Sequence, residues 1–160
     1  MLKTKTIRTV LMKLNLEQKP GGEIEVTINY PQMDETVKRL ISLIESSCYA
    51  LVGSDNGRQY KISAADIYYI ESVDKRTFIY TKEQVYRSEK PLYRLADELK
   101  GFGFVQVSKF CVLNLDFLSQ VETLKNSRLE TTLINGERIT VSRTYIPAIK
   151  QALQKGLNIE

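Results

Sequence analysis

Apolar and polar residues alternate along this chain with two different periods. From residue 49 onward a period of two dominates, in short runs: YALVG (49–53), RQYKI (58–62), DIYYIES (66–72), TFIYT (77–81) and QVYRS (84–88). Each run predicts a short strand, and the polar stretches 54–57, 73–76 and 82–83 predict the turns between them. Further strands are predicted at 104–107, 111–115, 118–124, 129–134 and 137–142. Asn135-Gly136 lies between two alternating runs, which is a strong hairpin signal. The period changes to that of a helix once within this region. Leu92, Leu95, Ala96 and Leu99 form a stripe, Pro91 suits the first turn, and Gly101 suits the left-handed position after the last. Tyr145, Ile146, Ile149 and Leu153 mark a short closing helix with Pro147 in its first turn.

The first 48 residues read as a smaller unit. Residues 7–14 (IRTVLMKL) predict a strand, and Pro20-Gly21-Gly22 a break. Ile24, Val26, Ile28 and Tyr30 alternate with polar residues, so 23–30 predicts a half-buried strand. Asp34 has the character of an N-cap for a helix over 35–47. The stripe of that helix is Val37, Leu40, Ile41 and Ile44, and it needs cover from the rest of the chain or from a second copy. These four residues are therefore candidate dimerisation contacts. The expected fold is mainly β, a β-strand domain over 49–156 with short helices, preceded by a small strand–helix (α+β) unit over 1–48. No repeated βαβ pattern is present.

Composition narrows the chemistry. Among 160 residues there is no histidine, which removes the commonest general base and most zinc sites. No phosphate-binding glycine loop or dinucleotide fingerprint occurs. An enzyme is not expected, nor a cofactor, a metal or a small-molecule substrate. Cys48 and Cys111 sit in apolar surroundings and read as reduced core cysteines. No apolar run approaches the roughly 20 residues of a membrane helix, and the N-terminus lacks the apolar core of a signal peptide, so the expected location is the cytoplasm. The net charge of +4 is mild, so the placement of the cations matters more than their number.

Three turns carry a hydroxyl and a cation at the end of a strand. They are Lys75, Arg76 and Thr77; Ser108 and Lys109; and Ser142, Arg143 and Thr144. A hydroxyl donates to a phosphate oxygen, and Arg or Lys neutralises phosphate or reaches guanine in a major groove. Ser142 could equally cap the closing helix. Lys125-Asn126-Ser127-Arg128 is a fourth basic turn. Singly, each is an ordinary solvated turn; their recurrence has weight only if they converge in space. Other polar positions read as scaffold. Tyr68 and Tyr69 point to opposite faces of one strand, Glu71 suits a cap on backbone N–H groups, and Asn114 within an apolar run suits a buried bond to backbone.

In this order and spacing, "SAADIYYIESVDKRTFIYT", "YRSEKPLYRLADELKGFGFVQVSKFCVLNLDFLSQVE" and "TLINGERITVSRTYIPAIKQAL" resemble the LytTR (LytR/AlgR-type) DNA-binding domain of bacterial transcription regulators, from about residue 50 to 154. The resemblance implies an elongated β fold whose loops enter successive major grooves of double-stranded DNA, on direct repeats and usually as a homodimer. It implies three DNA-contacting loops, at Lys75, Arg76 and Thr77, at Ser108 and Lys109, and at Arg143 and Thr144. A relative has histidine at the position of Thr77 and asparagine at that of Lys109. About 50 residues precede the domain, fewer than a receiver domain needs, so the chain looks like the stand-alone subgroup. Such regulators are often encoded beside a small membrane protein, an association between genes. Two other classes compete: a protein- or ligand-binding sensor module on a β scaffold, and RNA binding through aromatics exposed on a sheet.

Overall fold

A computed structural model describes residues 2–7 and 12–156. The chain divides into two compact units between Pro31 and Gln32. In the first unit, β1 (Leu2–Ile7) and β2 (Met12–Glu17) form an antiparallel hairpin, with Leu2 opposite Glu17 and Ile7 opposite Met12. The strand expected over 7–14 is thus shared out: Ile7 closes β1, Met12 opens β2, and residues 8–11 lie outside the described residues. The strand expected over 23–30 does not form. Its alternation is real, but alternation becomes a strand only when a neighbouring strand takes up the backbone bonds. Ile24 is 97% exposed and Val26 57%.

The second unit opens with α1 (Glu35–Cys48). Asp34 Oδ1 accepts from Val37 N at 2.9 Å, the expected N-cap. Val37 is buried, while Leu40, Ile41 and Ile44 are half-buried. The helix packs on α3 (Ile146–Gly156), on β4 (Arg58–Ser63) and on a single 3-10 turn at Ala64–Asp66. Ser42 Oγ donates to Gly101 O at 3.0 Å. The apolar stripe of α1 is therefore covered in part within its own unit, fully only at Val37. Cys48, at the end of α1, is exposed and not a core residue as expected; Cys111 is buried, its thiol pushed up to about 12 by burial.

Beyond α1 the chain makes two antiparallel sheets. The larger is built from β3 (Ala50–Asp55), β4, β5 (Ile67–Val73), β6 (Arg76–Thr81), β7 (Val85–Ser88), β8 (Phe104–Ser108) and β9 (Cys111–Asn114). Its spatial order is β4-β3-β7-β6-β5-β9-β8. The smaller has β10 (Leu118–Thr123), β11 (Leu129–Leu133) and β12 (Arg138–Val141), in that order. Period-two alternation sends side chains to two cores. From β9, Val112 joins Ile67, Ile70 and Ile79 beneath α2 (Leu92–Glu98), whose Leu92 and Leu95 seal that face with Leu99. Cys111 and Leu113 point the other way, joining Val107, Tyr68, Leu129, Leu133, Val141 and Ile149 beneath the smaller sheet and α3. Aromatic rings reinforce both cores. Tyr49 stacks on Phe102 at 5.0 Å beside the first, while Tyr68 on Phe117 at 4.0 Å and Tyr69 on Tyr80 at 4.2 Å lie beside the second. A bulge between Ile67 and Tyr69 brings both tyrosines to one side, where opposite faces were expected.

Gly53 in β3 is fixed by packing. A Cβ there would stand 2.7 Å from Ile62 Cδ1 and 2.7 Å from Tyr86 Cβ. Gly53→Ala is expected to lower unfolding stability by about 1–3 kcal/mol, read as a lower denaturant midpoint at constant slope.

Candidate nucleic-acid interface

The β5–β6 turn is the tightest of the three predicted tips. Val73 pairs with Arg76, leaving Asp74 and Lys75 as the whole loop, with φ of 49° and 62°. Both central residues in the left-handed region match the twist of a two-residue hairpin, a place where glycine is usual. Here a lysine takes it, at a cost of about 1 kcal/mol, and Lys75 sits at the apex. Lys75 and Arg76 are exposed, with the Asp74 carboxylate beside them. Thr77 differs from expectation. It faces inward on β6, opposite Ser72 and Ser88, and is 4% exposed. A side chain so enclosed presents little surface to a ligand.

The β8–β9 turn is shaped by a bulge. Gln106 pairs with Val112 but Ser108 with Cys111, so Val107 is the extra residue. Lys109 and Phe110 form the tip, both exposed. Ser108 Oγ accepts from Phe110 N at 3.1 Å, and its hydroxyl hydrogen is left to donate elsewhere. At the third tip β12 ends at Val141, and a 3-10 turn over Arg143–Tyr145 leads into α3. Ser142, Arg143 and Thr144 are all exposed. The Ser142 side chain makes no capping bond; its carbonyl accepts from Tyr145 N at 2.8 Å instead.

Two main-chain hydrogen bonds place these tips together. Ser72 N donates to Phe110 O at 2.8 Å, which joins the end of β5 to the β8–β9 turn. Ser142 N donates to Val107 O at 2.8 Å, so the carbonyl freed by the bulge holds the exit of β12. The fourth basic turn follows from register. Leu129 pairs with Val141, so the β10–β11 connection, Lys125–Arg128, lies at the same end of the smaller sheet. Asn126 and Ser127 are left-handed there, and Leu124 N donates to Arg128 O at 2.7 Å to close the loop. Four tips therefore share one edge, in the order β5–β6, β8–β9, β12 exit and β10–β11. Within each sheet neighbouring strands are about 4.8 Å apart, so the tips are spread along that end and not gathered at a point.

Cations predominate along that row, with Asp74 as the carboxylate of the first tip. Lys75, Arg76, Lys109, Lys125, Arg128 and Arg143 are exposed, and among the described residues none is in an ion pair. The bridged cations are elsewhere: Lys19, Lys38, Arg39, Lys90 and Arg138. Glu71, expected to cap backbone, instead accepts from Tyr80 Oη at 3.3 Å. Burial, then the Glu71 carboxylate, holds the Tyr80 phenol above its ordinary range. Among the described residues no cluster of His, Cys, Asp and Glu could hold a metal ion, and no helix is long and apolar enough to cross a membrane.

Comparison with known proteins bears on this arrangement. The LytTr DNA-binding domain profile matches residues 57–154. The chain belongs to the LytTR DNA-binding domain family. A sensory transduction protein LytT of Enterococcus faecalis is 26% identical over 109 residues, 68% of this chain but 44% of that protein. The chain thus spans less than half the length of that relative. A Staphylococcus aureus protein described as an HTH-type transcriptional regulator is 24% identical over 146 residues, 89% of this chain and 99% of that one. In three dimensions the chain is similar to the LytTr DNA-binding domain of a methyl-accepting/DNA response regulator from Bacillus cereus. The TM-score is 0.62 at 18% identity, covering 65% of this chain and 95% of that domain, a likeness of fold. The chain accordingly carries a LytTR DNA-binding domain within a mainly β fold.

Proposed function

We propose that the chain is a sequence-specific regulator that lays the basic edge along duplex DNA and sets its tips into successive major grooves of a direct repeat. The observation that carries this reading is the row of tips with six exposed cations free of carboxylate partners. Phosphate contacts from Lys75, Lys125, Arg128 and the hydroxyls of Ser108, Ser142 and Thr144 fix register. Arg76, Lys109 and Arg143 are the side chains suited to guanine O6 and N7. Thr77 supports its turn from within and is not part of the contact. A stacking platform for RNA fits less well, because Tyr60, Tyr69, Tyr80 and Tyr86 pair ring to ring with one another.

In this reading the protein works in the cytoplasm, where the DNA is, and two copies occupy the two repeats. The contact between copies falls to the N-terminal segment, where Leu40, Ile41 and Ile44 of the α1 stripe are half-buried and Leu14, Leu16, Ile24, Val26 and Tyr30 are exposed. A chain lacking residues 1–31 is expected to sediment as a monomer and to bind one half-site; a dimer of undiminished stability would discard that assignment.

The reading as a whole is tested by selecting bound sites from random duplexes at stated salt. The expected result is a pair of like half-sites in the same orientation, spaced by about one helical turn, near 10.5 base pairs. Enrichment of no motif would overturn sequence-specific binding.

A further inference from the structure

Phe110 is a large apolar residue, 56% exposed, at the apex of a turn whose other positions are Ser108 and Lys109. A lone exposed apolar side chain is ordinary on a protein surface. Three features set this one apart. It stands on the basic edge, between the Arg76 and Arg143 tips. Its main chain is held on both sides, the N–H by Ser108 Oγ at 3.1 Å and the carbonyl by Ser72 N at 2.8 Å. The Lys109 ammonium lies over its ring, 5.7 Å from the centroid, so ring and cation form one composite tip.

A rigid apolar plate beside a cation has few uses in water, but it has one in a major groove. There a thymine presents its C5-methyl group, the one apolar mark among the base edges, and an aromatic side chain is among the groups that meet it. The geometry points to Phe110 as a specificity residue that reads a thymine methyl next to the base pair engaged by Lys109. This inference rests on the DNA-binding reading above and adds to it a base identity at one position of each half-site. Turn formation does not call for a phenyl ring here; Ser108 supplies the bond that the turn uses. Burying the ring against a methyl group removes apolar surface from water on both partners, and the restraint on the backbone means that little ordering is needed on contact.

The experiment begins with the duplex that the wild-type chain selects. Each thymine is replaced singly by deoxyuridine, which deletes only the methyl group, and affinity is measured for the wild type, Phe110→Ala and Phe110→Leu. The wild type is expected to lose roughly three- to fivefold at one thymine in each half-site. Phe110→Ala is expected to bind the parent duplex roughly tenfold more weakly and to be indifferent to uracil at that position, while Phe110→Leu keeps the sensitivity. The inference is overturned if the wild type tolerates uracil everywhere. It is equally overturned if Phe110→Ala binds as the wild type does, which would assign the ring to a protein partner, or if that variant still feels the missing methyl. A wild type that enriches no duplex at all would overturn the DNA-binding reading itself.

Discussion

Replacing Arg76, Lys109 and Arg143 together by alanine will weaken operator binding by about a thousandfold or more while leaving the fold intact. Each is an exposed side chain on a tip fixed by main-chain bonds, and none is in an ion pair among the described residues. Removing them deletes contacts worth about 1–3 kcal/mol apiece and no internal contact of comparable size. The salt dependence should change in step: if these cations also release counterions, the slope of log affinity against log salt falls by about one per residue removed. Thermal unfolding should move by no more than a degree or two. Affinity within a factor of three of wild type, at unchanged stability, would remove the edge from the binding site. Retained affinity with an unchanged slope would further show that the polyanion lies elsewhere.

The second large effect is on stability. Asn114 is 1% exposed, and both ends of its amide are used. Nδ2 donates to Ile67 O at 2.9 Å, and Oδ1 accepts from Asp116 N at 3.0 Å. The first bond ties the end of β9 to the start of β5; the second folds the turn over 115–117 that launches β10. Asn114→Leu would leave the Ile67 carbonyl buried without a donor and the Asp116 N–H without an acceptor. The expected loss is about 2–4 kcal/mol, measured by denaturant unfolding. Asn114→Asp keeps the acceptor but loses the donor and brings a carboxylate close to Asp116, whose own carboxyl burial already holds above its ordinary range. With its folded-state pKa raised, such a group costs stability once ionised. The Asp variant should therefore recover more stability as pH falls than the Leu variant, in which only Asp116 contributes in that way. A loss below about 0.5 kcal/mol for Asn114→Leu would mean that the two bonds contribute nothing net.

Much of this fold was legible because its elements are short and locally encoded. The runs at 58–62, 77–81 and 129–134 became β4, β6 and β11, each differing from the predicted bounds by one residue at one end. Asp34 capped α1, and Asn114 bonded backbone, as their residue types in those settings imply. What was not legible depended on neighbours. Residues 23–30 have the alternation of a strand but no strand hydrogen-bonded beside them. Cys48 has apolar neighbours in sequence, yet its place at the end of α1 turns it outward. Thr77 adjoins two exposed cations in sequence, but the pleat points it inward while Arg76 points out. The convergence of the tips was out of reach, since it depends on a bulge at Val107 and on the pairing of β5 with β9. Phe110 was overlooked because an apolar residue in an apolar run reads as core; its position two residues from Ser108, at the apex of a turn, was the available signal.

The bond from Ser142 N to Val107 O joins the two sheets through peptide groups alone, and that from Ser72 N to Phe110 O ties two tips of the larger sheet in the same way. No tip side chain takes part in either. The spacing between tips is consequently indifferent to what those tips display, and the scaffold behaves as a holder with exchangeable nibs. A library randomised at positions 75, 76, 109, 110 and 143 should retain the fold in most members, and new operator preferences could be drawn from it without rebuilding the frame.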